Sequence, residues 1–145
     1  MIHRADPVQT RTETATAEET EAVAAGLAAR LRPGDAVLVT GELGSGKTTF
    51  VRGAARALGV TDPVTSPTFT LGQVYSGRGP EVAHLDLYRL ETLEGEDPAL
   101  LDDYLTPERI GFVEWPGVAE PALGRVAARV LIEHRGGDRR VVTVE

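Results

Sequence analysis

Cysteine is absent from this chain of 145 residues, and lysine occurs only once, at Lys47. Without thiols the chain forms no disulfides, thiolate–zinc sites or iron–sulfur clusters, and it has no cysteine nucleophile. Long hydrophobic runs are also missing. None approaches the ~20 residues of a membrane helix, and the first residues lack the hydrophobic core of a signal peptide. We therefore expect a cytoplasmic protein with no membrane role.

Basic charge is scarce as well. The chain has 15 Lys and Arg against 22 Asp and Glu, which gives a net charge of −7. A chain this acidic is poorly suited to binding the phosphate backbone of a nucleic acid by itself. We therefore expect any role in nucleic-acid metabolism to depend on a protein partner. Because the other 14 of the 15 Lys and Arg residues are arginine, the retained Lys47 indicates a site that needs a compact ammonium rather than a planar guanidinium.

The apolar fraction of 41% is that of a globular domain, and we expect residues 1–145 to form one domain. Residues 1–15 have no clear period and are interpreted as a lead-in or a short edge strand. A capping box of Thr16 and Glu19 opens a helix with an apolar stripe that continues to Leu31, before Pro33-Gly34. The remaining predicted elements are strands at 36–40, 70–75, 81–87, 110–114, 127–134 and 139–144, a helix at 47–58 and a helical stretch within 93–104. This order predicts an α/β layer fold with a mixed sheet.

A glycine-rich loop joins the first apolar strand to the second helix. Residues Gly41 to Thr48 match the pattern G-x-x-x-x-G-K-[ST] of a P-loop. Its glycines reach positive φ and let backbone amides converge on phosphate oxygens, and the following helix N-terminus favours an anion. Lys47 would reach the β- and γ-phosphates, and the Thr48 hydroxyl would bind Mg²⁺. The candidate nucleotide-binding residues are Glu42, Leu43, Gly44, Ser45, Gly46, Lys47, Thr48 and Thr49.

Two acids are candidates for the metal and for catalysis. Asp86 ends an alternating run in which His84 and Asp86 share one face, and it is a candidate Mg²⁺ ligand. The alternative is that this face of the strand is solvated and has no function. His84 is interpreted as a structural hydrogen-bonding residue. Glu114 closes a buried strand, where it could orient a water or complete the Mg²⁺ shell; the alternative is an exposed strand-end acid. Trp115, which follows, is more typical of a core or an interface than of catalysis.

The nucleotide is expected to be ATP. Guanine-specific P-loop proteins read the base with a motif that contains a second lysine, and this chain has none. Thr65 to Phe69 lie between the P-loop helix and Asp86, where a nucleotide-sensing switch would be placed, with Thr68 as a ligand candidate. The alternative for this segment is a plain Ser-Pro turn.

At these positions the chain resembles the TsaE family (also called YjeE), small bacterial P-loop ATPases of tRNA threonylcarbamoyladenosine biosynthesis. Four segments carry the resemblance in order and spacing: GELGSGKTTF, SPTFTL, HLDLYRL and VEWP. It implies a P-loop NTPase-type three-layer fold with a mixed central sheet. It also implies Mg²⁺-dependent ATP hydrolysis that supports the TsaB–TsaD pair while TsaD modifies adenosine 37 of tRNAs reading ANN codons, so that tRNA is met only indirectly.

The resemblance also implies roles for individual residues. Lys47 matches the phosphate lysine, and Thr48, Asp86 and Glu114 match the metal-site and catalytic positions. Tyr88, Arg89 and Trp115 match family positions at the site or at the partner interface. Thr16 and Glu19 match a region near the nucleotide base. A residue that contacts the base is also expected among Arg135 to Arg140. Two other functions stay open, a small P-loop metabolite kinase and a nucleotide-gated interaction module with little turnover.

Overall fold

The computed structural model describes residues 9–42, 44–65, 71–87, 99–115 and 126–145. Over these residues the strands and helices follow one another in the order β1 (Thr10–Thr14), α1 (Ala17–Ala28), β2 (Ala36–Gly41), α2 (Lys47–Ala57), β3 (Gly72–Tyr75), β4 (Val82–Asp86), α3 (Ala99–Tyr104), β5 (Ile110–Glu114), β6 (Val126–His134) and β7 (Arg140–Val144). The predicted strands are confirmed to within two residues at each end.

The seven strands form one mixed sheet in the order β1-β7-β6-β2-β5-β4-β3. The four central strands, β6, β2, β5 and β4, run parallel, while β3, β7 and β1 are antiparallel to their neighbours. The strand predicted within the lead-in is β1, at one edge. Because β2, β4 and β5 point the same way, Gly41, Asp86 and Glu114 end at one edge of the sheet, where α/β folds place their ligands.

Two hydrophobic clusters cover the two faces of the sheet. Helices α1 and α2 pack against each other and, with the inward side chains of β2 and β5, form the larger cluster, in which Val37, Phe50 and Phe112 are fully buried. Leu38, Leu85, Leu87, Leu101 and Val113 form the second cluster on the other face. The predicted alternation of β4, with His84 on one face and Leu85 and Leu87 on the other, is consistent with this division.

The boundaries of the two long helices correct the sequence-based expectation. Helix α1 begins after the Thr16 cap, as predicted, but it ends at Ala28 and does not continue to Leu31, which packs beyond the helix against the larger cluster. Helix α2 ends at Ala57, and Gly59 follows with a φ of 97°. Ala57, expected on the apolar face, is exposed, and Ala55 is buried in the core instead. Among the described residues, no helix is long and apolar enough to cross a membrane.

Candidate functional site

The glycine-rich loop connects β2 to α2 through glycines in the left-handed region. Gly44 has a φ of 78°, and Gly46, the N-cap of α2, has a φ of 106°. Residues with a Cβ rarely adopt these angles, so the backbone path depends on glycine at both positions. Gly46 offers no side chain to the amides of the first turn of α2. Those amides, together with the helix dipole, make this loop a site for an anion.

The only lysine of the sequence is the first residue of α2, and its side chain is buried against this loop. The Lys47 side chain folds back, and its Nζ donates hydrogen bonds to the carbonyl oxygens of Gly41, at 2.8 Å, and Glu42, at 2.9 Å. Burial lowers the pKa of the Lys47 ammonium, and the carboxylates of Glu114 and Asp86 raise it part of the way back. The Lys47 ammonium therefore interacts with the carboxylates of Glu114 and Asp86 while it is hydrogen-bonded to the loop.

Trp115 covers Lys47 from the side of β5. The Nζ atom lies 4.3 Å from the centroid of the Trp115 ring, within the range of a cation–π contact. Trp115 has a φ of 56°, the one left-handed value at a non-glycine residue in the described part of the chain. Such a conformation costs of order 1–3 kcal/mol and is typical of functional sites. Trp115 thus belongs to the candidate site rather than to the hydrophobic core.

One cavity of about 320 Å³ brings the loop and the two acids together. Asp86 and Glu114 are register partners in the parallel pair β4–β5, so both carboxylates reach this cavity from adjacent strands. Glu114 is only 3% exposed, so the alternative of an exposed strand-end acid is wrong. The residues that line the cavity are Gly44, Gly46, Lys47, Thr48, Thr49, Asp86, Glu114, Trp115 and Arg140.

The donor set in the cavity fits a hard divalent cation. Thr48 supplies a hydroxyl, and Asp86 and Glu114 supply carboxylates, which are the oxygen ligands that Mg²⁺ prefers. Within the described ranges, no cluster of three or more His, Asp or Glu could hold a metal by itself. Mg²⁺ sites on phosphate substrates use one or two carboxylates plus phosphates and water, so a small protein donor set suits this ion.

A buried hydrogen-bond chain begins at Glu114. Its Oε2 atom lies 2.5 Å from Nε2 of His84, and Nδ1 of His84 lies 3.0 Å from the hydroxyl of Tyr75. The Tyr75 hydroxyl donates to the carbonyl oxygen of Thr65 at 2.6 Å. The His84 ring is fully buried, so the solvated-face alternative is wrong for this residue, and its interpretation as a hydrogen-bonding residue is confirmed.

Arg140 reaches the loop from the far end of the chain. Its Nε donates to the carbonyl oxygen of Ser45 at 2.6 Å, and its Nη1 donates to the carbonyl oxygen of Gly137 at 2.7 Å. A second cavity of about 90 Å³ adjoins the first and shares Gly46, Thr49 and Arg140 with it. Its other lining residues are Ala17, Thr20 and Asp138.

Several predicted site residues lie elsewhere. Thr16 and Glu19 line neither of these two cavities; the Thr16 hydroxyl accepts from the Glu19 amide, and Glu19 accepts from the Ala15 amide. Glu42 is exposed, although its carbonyl binds Lys47. The roles of Thr16, Glu19 and Glu42 in binding stay predictions. Four further candidates, Leu43, Thr68, Tyr88 and Arg89, lie outside the described residues, as does most of the Thr65–Phe69 segment.

The sequence pattern does not single out Tyr75 or Arg140 as site residues, and it indicates only a structural role for His84. Arg140 was one of several arginines in a range, with no signal to single it out. A polar His84 in the middle of an apolar strand was the one signal that could have pointed to a buried partner.

Comparisons with known proteins show which family this chain resembles. Residues 14–142 match the family described as threonylcarbamoyl adenosine biosynthesis protein TsaE. The tRNA threonylcarbamoyladenosine biosynthesis protein TsaE of Bacillus subtilis is 39% identical over 93% of this chain and 84% of its own length. The protein of that name from Streptomyces coelicolor is 40% identical over 77% of each chain. A crystal structure of Bacillus subtilis YdiB superposes with a TM-score of 0.75 at 34% identity, over 94% of this chain and 84% of that one.

Proposed function

Because this chain belongs to the TsaE family, we propose that it is a Mg²⁺-dependent ATPase that supports threonylcarbamoylation of adenosine 37 in tRNAs reading ANN codons, in association with TsaB–TsaD. The observation that carries the proposal is the single cavity in which Lys47, Thr48, Asp86 and Glu114 meet a glycine-rich loop. This arrangement provides a phosphate cradle, metal ligands and a candidate for activating water in one place.

The loop would hold the triphosphate. Backbone amides from Gly44 to Thr49 would contact the phosphate oxygens, and Lys47 would exchange its two loop carbonyls for the β- and γ-phosphates. Arg140 would keep the loop in shape through its bond to Ser45. The smaller cavity between the start of α1 and the β6–β7 turn would receive the nucleoside end, because it adjoins the cradle.

The residues that would hold Mg²⁺ are Thr48 and Asp86, with Glu114 either as a further ligand or as the group that orients water. A bound Mg²⁺ would neutralise charge on the phosphates and polarise the bond to the leaving group. Glu114 is the better candidate for accepting a hydrogen bond from the attacking water. It is buried and fixed by His84, whereas Asp86 is half-buried at the end of β4.

The negative net charge of the chain supports the proposal that it acts on tRNA only through protein partners. A net charge of −7 disfavours direct binding of the phosphate backbone. TsaE relatives are tRNA threonylcarbamoyladenosine biosynthesis proteins by name, and the resemblance assigns the transfer reaction to TsaD. We place this chain at the step that uses ATP to turn over the TsaB–TsaD complex.

ATP hydrolysis with Mg²⁺, measured with and without TsaB–TsaD of the same source, tests the proposal. We expect stimulation by the pair, its loss in Lys47→Ala, and retention of nucleotide binding with most hydrolysis lost in Glu114→Gln. Glu108→Gln is the matched control, because Glu108 is exposed and lies outside the cavity. Unchanged binding and hydrolysis in Lys47→Ala would overturn the phosphate-cradle assignment.

Two other results would replace the proposed function. Transfer of the γ-phosphate to a small acceptor instead of water would identify a metabolite kinase. Tight ATP binding with negligible turnover, unaffected by TsaB–TsaD, would identify a nucleotide-gated interaction module outside this pathway.

A further inference from the structure

The buried hydrogen-bond chain gives His84 and Tyr75 a role beyond packing. We infer that they are positioning residues that hold the Glu114 carboxylate at its catalytic angle by tying it to the backbone of Thr65. This inference rests on the function proposed above, because it specifies how that site orients its water-activating carboxylate.

Both His84 and Glu114 are buried. His84 is 0% exposed and Glu114 is 3% exposed, so neither group can satisfy its polar atoms with bulk water. Buried polar groups must then find protein partners, and a buried carboxylate without one is costly. The 2.5 Å contact between Nε2 of His84 and Oε2 of Glu114 meets that need, while Glu114 still lines the cavity.

The Tyr75 hydroxyl sets the direction of the hydrogen bonds in this chain. The Tyr75 hydroxyl has one proton and gives it to the Thr65 carbonyl oxygen at 2.6 Å, while the Thr65 amide donates back to the same hydroxyl at 3.3 Å. Burial raises the pKa of Tyr75, so the hydroxyl keeps that proton. Nδ1 of His84 is therefore the donor toward Tyr75, and Nε2 faces Oε2 of Glu114. Both ring nitrogens are used, which fixes the plane of the imidazole.

The chain of hydrogen bonds runs across one side of the sheet. It crosses three adjacent strands, from Glu114 at the end of β5 through His84 in β4 to Tyr75 at the end of β3. Thr65 follows α2, the helix that carries Lys47. The chain of bonds therefore ties the carboxylate to the backbone of the segment that follows the phosphate-binding helix.

Substitutions at His84 separate positioning from packing. His84→Gln keeps an amide N–H that can reach the position of Nε2, whereas His84→Asn is too short to reach Glu114. Hydrogen-bond partners of metal ligands typically contribute 10–100-fold to metal affinity or activity. With TsaB–TsaD present, we expect His84→Asn to lower kcat at least about tenfold with the Kd of ATP within about twofold, and His84→Gln to recover most of kcat. His134→Asn is the matched control, because His134 is exposed on β6.

Tyr75→Phe removes one oxygen atom from the same chain of bonds. We expect a smaller fall in kcat than for His84→Asn, and a double variant whose loss is less than the product of the two, because the residues act in series. Unchanged kcat in His84→Asn would overturn the inference. Equal losses in His84→Asn and His84→Gln, matched by equal losses of thermal stability, would also overturn it and assign a packing role.

The ring nitrogens of His84 give a readout that does not require hydrolysis. In ¹⁵N-histidine-labelled protein, which has three histidines, we expect Glu114→Gln to shift the Nε2 resonance of His84 and Tyr75→Phe to shift Nδ1. No shift in either variant would overturn the hydrogen-bond chain whatever the activity. An inactive wild-type protein would overturn the proposed function, whereas an active wild type with unaffected variants would overturn this inference alone.

Discussion

Lys47 is a spectroscopic reporter of its own site, because the chain has no other lysine. Burial lowers the pKa of its ammonium, and Glu114 and Asp86 only partly oppose the effect. Isotopic labelling of lysine therefore yields one side-chain Cε signal, whose titration follows a single buried group without assignment of the rest of the protein.

We predict that this signal titrates with a midpoint below the ordinary lysine pKa of about 10.4. Adding ATP should raise the midpoint, since phosphate charge beside the ammonium favours its protonated form. The measurement is a ¹³C-lysine NMR titration over the pH range in which circular dichroism stays native, with Lys47→Arg confirming the assignment. A midpoint at or above the ordinary value in the free protein, or one that ATP leaves unmoved, would contradict the prediction.

Arg140 connects the glycine-rich loop to the turn between β6 and β7. Its guanidinium bridges the carbonyl oxygens of Ser45 and Gly137, which joins the P-loop to the β6–β7 turn. A lysine ammonium is a point charge and cannot reproduce this fork. We predict that Arg140→Lys raises the Kd of ATP about tenfold, equivalent to about 1.4 kcal/mol.

Isothermal titration calorimetry measures this effect, and Arg139→Lys is the control, because Arg139 is an exposed neighbour on the same turn. If both variants bind ATP like the wild type, Arg140 does not organise the loop. The bond spans 95 positions of sequence. Local pattern cannot reveal such a partner, which is why the sequence predicted the loop but not the residue that supports it.

At the scale of elements, the crossing of α1 and α2 depends on Gly53. A Cβ built at Gly53 would lie 2.5 Å from Cα of Glu21 and 2.6 Å from its carbonyl oxygen. These are backbone atoms, so the helices would have to separate. Gly26, in the interior of α1, is the opposite case, because a Cβ there would meet nothing within 4 Å.

We predict that Gly53→Ala lowers the free energy of unfolding by about 1–3 kcal/mol, through overpacking. Gly26→Ala should raise it by roughly 0.5–1 kcal/mol, since alanine loses less backbone entropy in a helix. Urea denaturation measures both variants, and each serves as the control for the other. Equal effects of the same sign would show that helix propensity, not close approach, decides the stability at Gly53.

The elements themselves were largely predictable, because hydrophobic period, capping residues and turn glycines are local signals. The Thr16–Glu19 pair marked the start of α1, and the Gly136-Gly137 turn marked the β6–β7 hairpin. The end of α1 was missed because Leu31 continues the apolar stripe into the turn that follows the helix. The order of the strands was not predicted, since pairing between distant strands leaves no local pattern.

The candidate site was predictable in part for the same reason. The P-loop is contiguous, and Asp86 and Glu114 each end a strand, so all three could be found in the sequence. The burial of Glu114 against His84 depends on two strands that are 30 residues apart. Alternation placed His84 on the face of Asp86, but only the folded structure shows that the His84 side chain is fully buried there.

At the scale of the whole molecule, nucleotide binding should couple to global stability. The glycine-rich loop connects β2 to α2, and residues of β4, β5 and β7 line the cavity beside it. A nucleotide in this cavity would therefore contact several strands of the sheet. A ligand that binds only the folded state at 100 times its Kd stabilises a protein by about 2.7 kcal/mol. For a chain of this length the corresponding rise in Tm is roughly 5–10 °C.

We predict this rise for the wild type with Mg²⁺ and a non-hydrolysable ATP analogue. Glu114→Gln should show the same rise, since its carboxylate serves hydrolysis and its loss removes a negative charge near the phosphates. Lys47→Ala should show little or none, because it lacks the cation that the phosphates require. Differential scanning calorimetry of each variant with and without ligand measures the shift and cancels differences in basal stability. Loss of the shift in Glu114→Gln would move Glu114 from activating water to binding the nucleotide.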